Sequence, residues 1–197
     1  MVEKNTTLFL AQLNRIKEIL SYFNQSEVIY HPPASGELIS QAQGILNVNF
    51  PTGLINFLFS ANGISLLSED FLGLSSDLYV PSMVDITLWA RHKYPEFLHE
   101  FLVFFVDGFE NFYCIDTRTI KNGESPIAYW DTSDKININI YASSVFKFVE
   151  MMSLLLTSLY NPKGEPFSQC ILAKVTGFEN FNWIRNHDPD IIYFRNE

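Results

Sequence analysis

Residues Phe101–Asp116 read FLVFFVDGFENFYCID, and this stretch decides the fold. Two aromatic and β-branched runs, Phe101–Val106 and Phe112–Asp116, flank an Asp-Gly pair, which is the composition of a strand, a tight turn and a second strand. Ten residues on, PIAYWD (Pro126–Asp131) repeats the pattern after TRTIKNGES, a segment rich in turn formers. Three strands joined by short turns form an antiparallel meander. Ile138, Ile140 and Ala142 continue the apolar pattern into a long helix from Ser143 or Ser144 to about Leu159, which Asn161-Pro162 stops.

Upstream of the meander the apolar period changes to that of helices. Phe9, Leu13, Ile16, Leu20 and Phe23 are spaced 4, 3, 4 and 3, one stripe of an amphipathic helix opened by Asn5, Thr6 and Thr7. Leu38, Ala42, Ile45 and Leu46 predict a second helix after Ser35-Gly36-Glu37. A third starts at Pro51, carries Leu54, Phe57, Leu58 and Ala61 on one side, and is expected to close at Asn62-Gly63. Short strands are expected at Ile64–Leu67 and Asp77–Val80, then a helix from Pro81 to about Lys93. Beyond residue 161 the pattern gives a short helix near Ser168–Val175 and a strand-like IIYF at Ile191–Phe194. Helices bracketing a run of strands predict an α+β single domain over residues 1–197, with a mostly antiparallel mixed sheet flanked by helices.

The 197 residues include 18 Phe, 9 Tyr and 3 Trp, ample surface to offset the entropy of ordering the chain. No apolar run reaches the length of a membrane-spanning helix and the N-terminal stretch is unlike a secretory signal, so no membrane association is expected and the cytoplasm is the default location. Cys114 and Cys170 lie in apolar runs, where a thiol packs as a small hydrophobe.

Charge is more selective. The net charge is −9, and residues 51–150 carry thirteen acidic against six basic side chains. Between Lys17 and Arg91 there is no Lys or Arg, while Glu18, Glu27, Glu37, Glu69, Asp70, Asp77 and Asp85 fall in that interval. Such a chain repels phosphate, so nucleic acid is excluded as a partner and a basic protein is favoured. No Gly-rich phosphate loop, serine-hydrolase elbow or HExxH zinc motif is present, and no cofactor or metal is implied. His187-Asp188-Pro189-Asp190 near Glu179 is the best metal candidate, its plainer reading being a solvated acidic turn. Asp116 and Asp131, both at strand ends, could meet as an acid–base pair or simply cap turns.

Four segments, taken in order, resemble the SUKH superfamily of Smi/Knr-type proteins. They are ILNVNFPTGLINFLFSANG (Ile45–Gly63), FLVFFVDGFENFYCID (Phe101–Asp116), PIAYWDTSD (Pro126–Asp134) and YASSVFKFVEMM (Tyr141–Met152). The resemblance covers roughly residues 28–160 and leaves 161–197 as a C-terminal extension. It implies a non-enzymatic immunity protein that binds a cognate bacterial toxin domain in the cytoplasm, a basic nuclease-type toxin being the natural match for an acidic inhibitor. The expected binding surface draws on Glu69, Asp70 and Asp77, and on Asp107, Glu110, Asp131 and Asp134, with Phe109 and Trp130 as apolar anchors. Three of them have a plainer use: Asp107 in a hairpin turn, Trp130 in the core, Phe109 as a lid on the sheet edge. An intracellular scaffold for an endogenous protein and a carboxylate-based hydrolase are the competing readings. The sequence leaves the oligomeric state open.

Overall fold

A computed structural model describes residues 2–67, 69–75, 80–107, 111–134, 138–167 and 181–194. The N-terminal helix α1 (Val2–Leu20) turns its apolar stripe inward, burying Ile16 and Leu20, and the chain leaves it through buried Phe23. A three-residue strand, β1 (Val28–Tyr30), follows. Ser35 then caps α2 (Gly36–Leu46), its Oγ accepting the Leu38 N–H at 3.1 Å, and Asn47 ends the helix in the left-handed conformation, φ 54°. Pro51 opens α3 (Thr52–Ser60) as expected, but Asn62-Gly63 does not cap it. Ala61 leaves the helix already extended, which frees the Asn62 carboxamide to hold a loop ahead of α4. Its Oδ1 accepts from Leu74 N at 2.6 Å and its Nδ2 donates to Ser75 Oγ at 2.9 Å.

The hairpin β2 (Ile64–Leu66) and β3 (Glu69–Phe71) leads to α4 (Met83–Lys93), whose first turn is closed by a reciprocal Ser82–Asp85 capping box. The strand expected at Asp77–Val80 lies mainly outside the described residues. Then come β4 (Phe101–Val106), β5 (Phe112–Asp116), β6 (Ile127–Trp130) and β7 (Ile138–Ala142), before Ser144 caps α5 (Val145–Leu159) through its Oγ and the Lys147 N–H.

The sheet has seven strands in the order of the chain, β1 to β7, and every pairing between them is antiparallel. The mixed element expected from sequence is therefore not seen among these strands. A continuous apolar run such as FLVFFV belongs in a strand covered on both faces, and residues Phe101–Phe105 of β4 are indeed all buried. On one face Phe148 of α5 packs against Phe71, Phe105 and Tyr113, with α1 and α3 laid on α5. On the other, α4 covers β4, and Thr87 Oγ1 accepts the Val103 N–H at 2.9 Å. This hydrogen bond is made across a β-bulge, where the β4–β5 register shifts between Val103 and Phe105. Cys114 is fully buried within the sheet, and burial, then the Asp116 charge, push its thiol pKa well up.

The C-terminal segment differs most from expectation. Ile191–Phe194 forms no strand: Pro189–Tyr193 is a 3-10 turn that follows α6 (Phe181–His187). Pro189 sets a helical φ, and the Ile191 N–H closes back on the Asp188 carbonyl at 3.2 Å. A four-residue apolar run does not distinguish the two outcomes by periodicity. Ile184 and Ile191 are buried in the same core as the sheet. The helix expected at Ser168–Val175 and Cys170 lie outside the described residues. Among the described residues, no helix is long and apolar enough to cross a membrane.

Candidate partner-binding surface

In a sheet ordered as the chain runs, alternate strands begin and end on the same side. One end of this sheet therefore gathers the start of β3, the end of β4, the start of β5, the end of β6 and the start of β7. Glu69 and Asp70 open β3, Asp107 follows β4, and Asp131 and Asp134 follow β6, so five of the nine residues singled out from sequence share that end. Glu27, just ahead of β1, joins them, since its carbonyl accepts the Leu67 N–H at 2.8 Å. Sequence reading missed its place because the three-residue β1 carries too short a pattern to register. Asp77, Phe109 and Glu110 lie outside the described residues.

The carboxylates at this end fall into two kinds. Asp107 accepts from Asn111 N at 2.9 Å and from Asn111 Nδ2 at 3.2 Å, and Asn111 Oδ1 in turn accepts from Thr132 N and Oγ1 at 3.0 and 3.1 Å. Two turns are thereby tied into one hydrogen-bonded unit. Asp131 accepts from Ser133 Oγ at 2.6 Å, Ser133 N at 2.7 Å and Asp134 N at 3.2 Å, and these bonds, Ser133's first, hold its carboxyl below the usual range. Glu69 is the opposite case. Its burial, followed by the charges of Asp70 and Asp107, raises its carboxyl above the usual range. Its ionised form is thus opposed by the site around it, and a cation placed there would relieve that opposition.

Trp130 requires a correction. It is only 1% exposed, stacked on Phe112 at 5.7 Å with the rings 6° from parallel, and flanked by Tyr94 and Phe97. It anchors the core and presents no surface to a partner. An exposed aromatic among the described residues, Trp89 of α4, 42% exposed, meets the ring of Phe112 at the start of β5 edge-on at 6.1 Å and carries Lys93 Nζ at 4.4 Å. The signal for it was the pair Trp89 and Lys93, four residues apart on one helix face.

The two chemical candidates also resolve. Asp116 ends β5 and Asp131 follows β6; the strands are antiparallel, so the two carboxylates lie at opposite ends of the sheet, and Asp116 is held by Arg118 through Nε at 2.8 Å and Nη2 at 2.7 Å. In the His187–Asp190 segment Asp188 is fully buried and bonded to Ser143, so the solvated reading fails for Asp188, while Pro189 and Asp190 are exposed. Glu179 lies outside the described residues, among which no group of three or more His, Cys, Asp or Glu is placed to hold a metal ion.

The order of elements and the strand-end row can be set beside known proteins. A family model described as SUKH_6: SMI1-KNR4 cell-wall matches residues 36–149, more than half of the chain. The chain belongs to the SMI1-KNR4 family. No curated protein matches it. The SMI1-KNR4 match runs from α2 into α5 and takes in Glu69, Asp70, Asp107, Asp131 and Asp134, whereas α1 and the C-terminal segment lie beyond it.

Proposed function

We propose that this SMI1-KNR4 protein is a cytoplasmic immunity protein that neutralises a basic toxin domain by stoichiometric binding, with no catalytic step of its own. The observation that carries the reading is Glu69, whose ionised form is opposed by burial and by Asp70 and Asp107 at an end of the sheet where Asp131 and Asp134 also lie. Like charges held together cost stability in the free protein and are relieved by a complementary partner, which also raises the rate of encounter. Trp89 supplies the exposed ring that such an interface needs near its charged rim.

The test compares tagged wild-type protein with a Glu69→Lys/Asp70→Lys variant, both purified from the native host at low and moderate salt. The expected result is a basic protein recovered near one to one with the wild type and lost from the variant. That protein arrests growth when expressed alone, and co-expression of the wild type restores it. Recovery of a housekeeping assembly with no toxicity, equally by both forms, overturns the proposal and favours a scaffold.

A further inference from the structure

Away from the acidic end, a cavity of about 600 Å³ opens between α1, α3, the turn at residues 121–124, the start of α5 and the C-terminal 3-10 turn. That is within the range of small-molecule sites. Its walls come from inside and outside the SMI1-KNR4 match: Thr52 and Asn56 from α3 and Asn122 from the turn, then Gln12 from α1. Spacing explains the presentation. Thr52 and Asn56 are four apart on one helix and Phe9 and Gln12 three apart on another, so each pair shares a face. Asn122-Gly123, with φ of 54° and 84°, makes a two-residue hairpin turn closed by Lys121 N to Glu124 O and Glu124 N to Lys121 O, both at 2.9 Å.

Among the described residues, the side chains of Gln12, Thr52, Asn56 and Asn122 have no hydrogen-bond partner. Of the charged groups at the cavity the two lysines are engaged, and the exposed Asp190 carboxylate is a further acceptor on its wall. Lys147 Nζ donates to Glu150 at 2.9 Å, and Lys121 Nζ lies 4.9 Å from the centre of the Phe194 ring. Neither helix N-terminus that reaches the cavity is open to an anion: at α3 the Gly53 N–H donates to the Gly123 carbonyl at 3.0 Å. At α3 the Glu124 carboxyl lies against Gly53, so close that a Cβ there would fall 1.9 Å from Oε2. At α5, Ser144 Oγ takes the Lys147 N–H, and Asp188 takes the Ser143 N–H. An anion therefore finds neither end of a helix open.

Apart from the Asp190 carboxylate, what remains uncommitted is neutral and two-sided. Three carboxamides each offer an acceptor and two donors, and the Thr52 hydroxyl offers both. Burial raises Glu124 to about 7, so near neutrality its carboxyl also serves in either role. Phe9 and Phe194 add apolar ring surface. We propose that this cavity binds a neutral polyhydroxylated molecule of mono- or disaccharide size, whose hydroxyls donate and accept in several directions and whose C–H faces rest on the rings. This site is separate from the acidic end and does not depend on the toxin reading.

The test is saturation-transfer NMR and calorimetry on the full chain with glucose, maltose and sorbitol, with phosphate and glycine as charged controls. Saturable binding of at least one of the three, with Kd on the order of 1 mM or tighter, is expected, weakened about tenfold in Asn56→Leu and in Asn122→Gly. Both variants keep the fold: Asn56 is on a partly exposed helix face, and Gly accepts the φ of residue 122, so matching thermal melts validate the comparison. Binding of the sugars without sorbitol assigns a closed ring, and equal binding of sorbitol assigns polyols generally. The proposal is overturned if none of the three binds at concentrations on the order of 10 mM. It is equally overturned if phosphate or glycine binds in their place, or if neither variant weakens binding.

Discussion

Asp188 and Ser143 are joined twice: the buried Asp188 carboxylate accepts the Ser143 N–H at 2.5 Å and the Ser143 hydroxyl at 2.7 Å, tying the C-terminal segment to the start of α5. Removing the carboxylate leaves two buried donors without partners, which costs about 2–3 kcal/mol. Asp188→Ala is therefore expected to lower stability by that amount in urea titrations, and Asp188→Asn, which keeps one acceptor, by less. Burial, the largest influence, raises the Asp188 carboxyl, so the folded chain holds that proton more tightly than the unfolded one. This site then loses stability as pH rises through its titration.

Glu124 gives the clearest pH signature. With its carboxyl raised by burial to about 7 from an ordinary 4.5, the folded chain binds a proton across that interval that the unfolded chain has released. Stability falls as pH rises between these values. Glu124→Gln should stabilise the protein at about pH 8 by about 1–3 kcal/mol, with the gain gone by about pH 5. Thermal melts of both forms at the two pH values check it, and a gain independent of pH would remove the titration of Glu124 from the account.

Glu69 links protonation to binding. A cationic partner at the acidic end stabilises the ionised carboxyl that burial, and then Asp70 and Asp107, oppose, so complex formation releases a proton as Glu69 titrates. The heat of binding should then vary with the ionisation enthalpy of the buffer, and Glu69→Gln should abolish the variation. Tight binding without any buffer dependence would place the partner elsewhere.

Two glycines separate backbone contact from mere flexibility. A Cβ at Gly73 would lie 1.9 Å from the Asn62 carbonyl oxygen and 2.4 Å from its carbon, a clash with main chain that no rotamer relieves. Gly73→Ala is expected to destabilise by about 3 kcal/mol or more. Gly44, inside α2 with open space around it, should respond in the opposite sense, Gly44→Ala adding about 1 kcal/mol in the same urea titration.

Much of the fold was legible because the elements are strongly punctuated. Pro51, Ser35, Ser144 and Asn161-Pro162 mark helix limits with groups that make or forbid specific backbone hydrogen bonds, and the helices fall between them. Strands β1 and β3 were not legible, since three residues each carry no period; their place is set by pairing with β2. The acidic end was legible in composition and incomplete in geometry: the fold sets Glu69 within reach of the charges of Asp70 and Asp107, whereas Trp130 turns inward, its ring stacked on Phe112. Trp89 and the cavity stayed hidden for another reason. Both depend on which elements cross in space, α4 over the sheet and α1 over α5, and no local pattern encodes that.

The strictly sequential strand order also bears on how the chain is made. Each strand pairs with the one emitted just before it, so the sheet can lengthen hairpin by hairpin during synthesis, without waiting for a distant segment. The growing edge is exposed at every stage until β7 is in place. A segment translated after β7 packs beside it, held through Asp188. Its contact falls on the last strand of the sheet, where an uncovered edge can recruit further strands, its own or a neighbour's.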